Sequence, residues 1–207
     1  LGEELARYPG SLGYEPMRKV MADRFERREG VAMPIERTAL TTGSMQSVTL
    51  MAQHFIEKPG DVVLMEEFSY SGTIGAYKKQ GAKLVGVEID EDGMRMDSLV
   101  ENIEKCQSEG NKPKFIYALV TYQNPTGSVM PLDRRKELLN ISLKYDIPVV
   151  EDHCYADTVY EDEHVPALIT IEHDATVLHI ESFSKILGPG VRLGCFTGPD
   201  PVFSEIL

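Results

Sequence analysis

A single lysine lies between an apolar run and a loop rich in glycine and proline near the end of the chain. Residues 182–194 read SFSKILGPGVRLG and follow the apolar run at 177–181. A partly desolvated lysine near other cations loses its proton more easily, and the neutral amine is a nucleophile. Lys185 is therefore a potential activated amine. Arg192, with its planar fork of donors, is a potential phosphate ligand.

Two further segments place polar side chains directly after apolar runs. Residues 121–127 read TYQNPTG, and residues 152–155 read DHCY. A carboxylate at the end of a buried strand is costly unless a cation or strong donors satisfy it, so Asp152 indicates a cationic ligand. The structural alternative is an aspartate that caps the next helix. The Asn124-Pro125 pair is by itself typical of a turn.

A fourth junction, GSMQ at residues 43–46, opens a helical pattern. Free backbone N–H groups and the helix dipole at such a turn can hold a phosphate. Small residues also occur at these turns for packing reasons alone. Ser44 and Met45 therefore become potential phosphate ligands only in combination with the other junctions.

The segments between these junctions alternate short apolar runs with amphipathic stretches. This succession of βα units predicts an α/β fold with a mostly parallel, roughly seven-stranded sheet and helices on both faces. Because ligands bind beyond the carboxyl ends of the strands in such sheets, we expect the four junctions to meet at one edge. The predicted strands are residues 38–42, 62–66, 84–88, 115–120, 147–151, 177–181 and 193–197.

Apolar spacing also predicts the main helices. A helix begins near Met45 and ends before the turn at 59–61, and another runs to Tyr145 with Asp133 as its predicted N-cap. An earlier, highly charged helix is expected to bury one apolar face, formed by Met17, Val20, Met21 and Phe25.

Charge and composition exclude several classes of protein. The net charge of −12 would repel a polyanion, and no apolar run approaches the length of a membrane span, so we expect neither nucleic acid nor membrane contact through this segment. The three cysteines, Cys106, Cys154 and Cys195, have no metal-ligand spacing. They are typical of a reduced, cytoplasmic protein without a metal site.

In their order and spacing the motifs resemble the class I/II aminotransferases, pyridoxal 5′-phosphate (PLP) enzymes of fold type I, across essentially the whole chain. The resemblance implies that Lys185 forms a Schiff base with PLP and that Asp152 pairs with the protonated pyridine nitrogen. Asn124 and Tyr155 would hydrogen-bond the phenolic oxygen of the ring. The implied phosphate ligands are the backbone groups of Ser44 and Met45 together with Ser182, Ser184 and Arg192.

The resemblance also implies roles for two tyrosines and a dimer. Tyr70 would stack on the cofactor ring, and Tyr8 would reach the phosphate of a neighbouring subunit in a homodimer. The Asn124-Pro125 peptide is expected to be cis. The chain departs from the family pattern at Phe68, where a proline is usual, and at 153–154, where the acidic motif commonly continues differently.

The resemblance divides the chain into an N-terminal lead-in segment and helix, 1–30, and a PLP-binding large domain, 31–207, cut before a C-terminal small domain. The expected reaction moves an amino group between an amino acid and a 2-oxo acid. Two alternatives stay open: an aminotransferase-like sensor domain of a winged-helix transcription regulator, and a PLP-dependent carbon–sulfur lyase or synthase. Because the substrate-carboxylate arginine would lie in the small domain, we expect residues 1–207 alone to be inactive.

Overall fold

The computed structural model describes residues 2–159 and 164–207 and has a seven-stranded sheet as its centre. The strand order is β3-β2-β6-β7-β8-β9-β1, and all neighbours are parallel except the two pairs that involve β9. The strands are β1 (Thr38–Thr41), β2 (Val62–Glu66), β3 (Lys83–Val87), β4 (Ile89–Asp90), β5 (Gly93–Met94), β6 (Phe115–Ala118), β7 (Val149–Asp152), β8 (Val177–Ser182) and β9 (Gly194–Thr197).

The predicted architecture is confirmed, and each of the seven predicted strands is found within two residues of its expected position. The short antiparallel pair β4–β5 was not predicted, because two residues are too few to show an alternating pattern. The helices are α1 (Gly2–Leu5), α2 (Glu15–Glu29), α3 (Ser44–Phe55), α4 (Ser71–Lys79), α5 (Met96–Ser108), α6 (Leu132–Tyr145) and α7 (Val202–Ile206).

Helices cover both faces of the sheet because successive side chains of a strand point to opposite sides. On β7, Val149 packs in the cluster that contains α5 and α6, whereas Val150 packs with α3, α4 and α7. Leu99 and Leu138 are fully buried on the first face, and Met51 and Tyr77 on the second. The strand ends are thus held between two apolar layers. None of the helices in the described residues is long and apolar enough to cross a membrane.

Two of the four residues predicted to form the buried face of α2 are buried, and the other two are exposed. Met21 and Phe25 are buried, but Val20 is 58% exposed and Met17 is 36% exposed. The third buried residue of the helix is Arg18, whose guanidinium donates to the carbonyl oxygens of Gly13 and Ile35. A charged side chain can occupy the buried stripe when backbone carbonyls satisfy it, and a pattern of apolar residues does not detect this.

The predicted N-cap of α6 is wrong. The helix begins at Leu132 and follows Pro131, so Asp133 lies in its first turn and makes no capping hydrogen bond. There the carboxylate still faces the positive end of the helix dipole.

A buried group of charged side chains joins α2 to the α5/α6 face of the sheet. His179 lies between two carboxylates, with Nδ1 2.7 Å from Oε2 of Glu151 and Nε2 3.4 Å from Oε1 of Glu181. Arg28, near the end of α2, also pairs with Glu181. Burial lowers the pKa of His179, but the two carboxylates outweigh burial and raise it to about 9. Burial raises the pKa of both glutamates, but their cationic partners outweigh it and lower each to about 2.

This arrangement predicts a stability that falls in alkaline solution. His179 stays protonated in the folded protein up to about pH 9 and in the unfolded chain only to about pH 6.5, so its contribution is complete below pH 6.5 and is lost as the pH rises through 9. The urea midpoint of the intact protein should fall over this range. His179→Gln should remove most of the fall and cost about 3–5 kcal/mol, because it leaves buried carboxylates unpaired.

The matched control is His54→Gln. His54 is a partly exposed residue, 3.7 Å from Glu205. This variant should keep the pH dependence of the parent. If His179→Gln keeps the pH dependence of the parent, the alkaline loss of stability does not come from His179.

Candidate active site

A cavity of about 260 Å³ opens at the carboxyl ends of the parallel strands. It contains every predicted site residue except Tyr8, so the junctions that follow β1, β6, β7 and β8 meet there as expected. Leu119, Cys154 and Pro189 also line it and were not predicted. The predicted residues in the wall are Ser44, Met45, Tyr70, Asn124, Asp152, Tyr155, Ser182, Ser184, Lys185 and Arg192.

Asp152 forms the buried end of the cavity. It is the last residue of β7 and is 5% exposed. The hydroxyl of Tyr117 donates to its Oδ2 at 2.6 Å, and Sγ of Cys154 lies 2.6 Å from its Oδ1. Burial raises the pKa of Asp152, and the hydrogen bonds from Cys154 and Tyr117 oppose that rise. A cation in the cavity would favour the ionised form further.

The side of the cavity carries an amide, a phenol and an amine. Nδ2 of Asn124 donates to the hydroxyl of Tyr155 at 3.0 Å, and the Asn124-Pro125 peptide is cis, as predicted. Nζ of Lys185 lies 5.5 Å from the centre of the Tyr155 ring. Lys185 comes from the loop after β8, three residues beyond the end of the strand. The amine therefore faces the same space as the buried carboxylate.

Another part of the cavity wall is built by close backbone packing around Arg192. Gly43, at the N-terminus of α3, has φ +75°, and a Cβ there would lie 2.5 Å from Nη2 of Arg192. A Cβ on Gly194 would lie 2.8 Å from the carbonyl carbon of Gly43. Nη2 of Arg192 also donates to the carbonyl of Thr42 at 3.1 Å. The guanidinium is thus held against the first turn of α3, beside its free N–H groups.

These groups fit the charges of PLP. The cavity wall offers a guanidinium, a helix N-terminus and the hydroxyls of Ser182 and Ser184, which suit a phosphate. It also offers the Asp152 carboxylate, which suits a protonated ring nitrogen, and the amine of Lys185. The donor set therefore matches the cofactor that the sequence implied.

The loop that carries Asn124 is anchored by residues that sequence reasoning missed. Both carboxylate oxygens of Glu66 accept from the N–H of Leu119, at 3.3 and 3.4 Å. Burial raises the pKa of Glu66 to about 8, against hydrogen bonds from Leu119 and Gln123. Nε2 of Gln123 donates to the carbonyl of Phe68 at 2.6 Å. Phe68 stands where the family pattern has a proline, but its carbonyl still joins the segment before Tyr70 to the loop that carries Asn124.

Tyr8 lies apart from the cavity. Its side chain is fully exposed, in a surface groove with Arg7, Tyr14 and Pro16. The structure therefore gives it no contact with the other predicted site residues. Its role toward a neighbouring subunit stays a prediction.

Within the part of the chain that the structure describes, one group of potential metal ligands comes together: His153, His179 and Glu181, with ligand atoms within 4.8 Å of one another. Arg28 donates to Glu181, and its Nη2 lies 3.5 Å from Nδ1 of His153. The guanidinium thus already supplies the positive charge at this point. The cluster is a buried ion-pair network.

Comparison with known proteins finds aminotransferases among the relatives of this chain. An aromatic-amino-acid aminotransferase of Thermococcus litoralis is 34% identical over 190 residues, which are 91% of this chain and 45% of the relative. The crystal structure of a Pyrococcus horikoshii kynurenine aminotransferase, in complex with PMP, has a TM-score of 0.91 and 29% identity. The match covers 99% of this chain and 50% of that structure.

A third relative is an uncharacterized HTH-type transcriptional regulator of Bacillus subtilis, 28% identical over 202 residues that cover 95% of this chain and 40% of the relative. The chain thus spans about half the length, or somewhat less, of the proteins it matches. The family described as aminotransferase class I and II matches residues 1–207. This match and the architecture of the structure agree with the motifs around Lys185 and Asp152. The chain belongs to the class I and II aminotransferase family.

Proposed function

We propose that this chain is the PLP-binding part of an aminotransferase that exchanges an amino group between an amino acid and a 2-oxo acid. One observation carries the proposal: a single cavity is lined by the Asp152 carboxylate, the Lys185 amine, and Arg192 with the start of α3. These charges are complementary to those of PLP. The family membership and the aminotransferase relatives support the same reaction.

PLP, when bound, withdraws electrons from the α-carbon of an amino acid and makes its proton acidic. The chain's own residues then have defined tasks. Asp152 would balance the positive charge of the ring nitrogen, and Asn124 and Tyr155 would orient the ring through its phenolic oxygen. Lys185 would anchor the cofactor. Once substrate has displaced it, Lys185 would act as a general base that carries the proton between the α-carbon of the substrate and a carbon of the cofactor. An arginine could not do this, because it stays protonated.

Two alternatives raised by the sequence receive less support. A carbon–sulfur lyase or synthase would use the same cofactor contacts. Only the products of the reaction distinguish it from an aminotransferase. A regulator sensor domain has the less similar relative, and the acidic charge of this segment disfavours DNA contact through it. Retention of the lysine, carboxylate and arginine in one cavity favours catalysis.

The three free cysteines support a cytoplasmic location, because they form no disulfides in the described structure. We also propose that residues 31–207 form the PLP-binding domain, with 1–30 as a lead-in segment.

Transamination by the intact protein is the direct test of this function. The protein is mixed with PLP, each of a panel of amino acids, and a 2-oxo acid acceptor. The expected result is formation of the amino acid that corresponds to the acceptor, in amounts equal to the 2-oxo acid formed from the donor. Release of ammonia or thiol without that exchange would support a lyase, and no exchange with any donor would contradict the proposal.

In the same assay Lys185→Ala and Lys185→Arg should both lose the visible absorption band that PLP acquires on binding, as well as all turnover. Lys185→Arg keeps the charge, so it separates the amine from simple electrostatics. The exposed Lys144→Ala serves as the control and should behave like the parent. A band that survives in Lys185→Ala would overturn the assignment of this residue.

Arg192→Gln should weaken PLP binding about ten- to a hundred-fold, because it removes charge-assisted hydrogen bonds to the phosphate. Binding of pyridoxal, which has no phosphate, should change little. The control is Arg95→Gln, which removes a surface arginine paired with Glu88 and Asp97. If Arg192→Gln weakens both ligands equally, the residue acts on the loop and not on the phosphate.

We further propose a homodimer for the intact protein. The motive is Tyr8, a fully exposed aromatic side chain with no partner in the described part of its own chain that would account for its position. Sedimentation of the PLP-bound protein should give twice the monomer mass, and Tyr8→Phe should weaken PLP binding without changing that mass. A monomer with cofactor fully bound would contradict the proposal.

A further inference from the structure

Asp152 is held by protein donors on both of its oxygens. Tyr117 reaches Oδ2 and Cys154 reaches Oδ1, each at 2.6 Å. The backbone N–H of Cys154 is a third donor to this carboxylate. The two oxygens together have about four lone-pair sites, so three donors leave acceptor capacity for a ligand. The two side-chain contacts differ in origin. Cys154 is two residues from Asp152 along the chain, whereas Tyr117 comes from the neighbouring strand β6 and lies 35 residues away.

Tyr117 is itself held by a second donor. Its hydroxyl lies 3.2 Å from Oγ1 of Thr73, and both side chains are fully buried. A phenol has one hydrogen, and an ionised carboxylate can only accept, so the hydrogen of Tyr117 is used on Asp152. Thr73 must then donate to the oxygen of Tyr117. The three groups form a chain of donors that runs from α4 through β6 to β7 and points at Asp152.

A second tyrosine beside this chain makes no such contact. Tyr77 is fully buried, and its ring centre lies 5.6 Å from that of Tyr117. Its hydroxyl has no hydrogen-bond partner among the described residues. Two tyrosines of equal burial in one cluster thus differ in their hydrogen bonds: Tyr117 bonds to Asp152 and to Thr73, and the hydroxyl of Tyr77 bonds to neither.

The charged and titratable groups around Asp152 come from several elements. Tyr77 on α4 is close enough to interact with its charge, and Tyr155 and Lys185 line the same cavity. His179 on β8 favours the ionised carboxylate, and Cys154 and Tyr117 donate to it. Burial of the carboxylate acts in the opposite direction. From β2, Glu66 adds a like charge when it is ionised. Of these groups, Tyr117 is the hydroxyl donor that contacts Asp152 directly from another strand.

We propose that Tyr117, oriented by Thr73, is a positioning residue that holds Asp152 ionised and aimed at the ring nitrogen of the cofactor. The inference rests on the proposed function, because it requires PLP in the cavity. Tyr117 would touch neither cofactor nor substrate. It would act by stabilising the negative charge that keeps the ring nitrogen protonated.

The test compares Tyr117→Phe with Tyr77→Phe in the intact protein. Each variant removes one buried hydroxyl from the same cluster, so differences in packing are matched. PLP labelled at its ring nitrogen is bound to each protein, and its NMR shift reports whether that nitrogen is protonated. PLP affinity and the pH at which the visible band changes are measured in the same samples.

We expect Tyr117→Phe to lose the protonated ring-nitrogen signal at a lower pH than the parent and to bind PLP about ten-fold more weakly, the effect of one hydrogen bond to a charged group. Tyr77→Phe should match the parent in both measurements. Thr73→Val removes the second donor and keeps the shape of the side chain, so it should shift the ring-nitrogen titration in the same direction by a smaller amount.

The outcomes separate this inference from the proposed function. If the parent protein binds no PLP, or Lys185→Ala leaves the visible band in place, the proposed function fails. If PLP binds through Lys185 but Tyr117→Phe and Tyr77→Phe give the same ring-nitrogen titration, the inference alone is wrong. If Tyr117→Phe does not fold, Thr73→Val decides: a titration equal to that of the parent overturns the inference, and a shifted one supports it.

Discussion

Burial of the Asp152 carboxylate is the constraint on which the site depends. A charge at the end of a strand inside two apolar layers is unfavourable unless donors and a cation compensate it. The structure supplies the donors from Tyr117 and Cys154, and the proposed cofactor supplies the cation. The cavity therefore has a charged wall next to the apolar layer that contains Val150. The proposed chemistry depends on that charge.

The alternation of side chains along β7 separates two electrostatic problems. Asp152 points to the α3 face and faces the cavity, whereas its neighbour Glu151 points to the α5/α6 face and is neutralised by His179. Both carboxylates are buried, and although they are adjacent in the chain they have different surroundings. The Glu151 side forms a closed ion-pair network that ties α2 to the sheet. The Asp152 side stays open toward a ligand.

The part of the cavity around Arg192 depends on the absence of side chains at two glycines. Gly43 and Gly194 allow β1, β9 and the start of α3 to approach so closely that Arg192 lies against the backbone of the turn. Alanine at either position would displace the guanidinium or the backbone. The surroundings of Arg192 are thus defined by packing, and those of Asp152 are defined by hydrogen bonds. Lys185 lies on the loop after β8.

Much of this arrangement could be read from the sequence. The apolar runs and their spacing located all seven main strands, and the rule that parallel strands present their carboxyl ends at one edge brought Ser44, Asn124, Asp152 and Lys185 together. Residue type and motif order were enough to predict the family, which is confirmed, and they indicate the proposed cofactor, because the chemistry of PLP requires an amine, a carboxylate and a phosphate ligand. These are properties of local sequence.

Only the tertiary structure decided which groups support those residues. Tyr117 contacts Asp152, and Arg192 packs against Gly43, although the members of each pair are distant in sequence. Arg18 is buried on α2 and breaks the apolar pattern of that helix. Periodicity records which side of an element is apolar, but it does not record strand order or the partner of a buried polar group. A hydrogen bond depends on atomic distance and direction, and those are set when the strands pair and the helices pack against them.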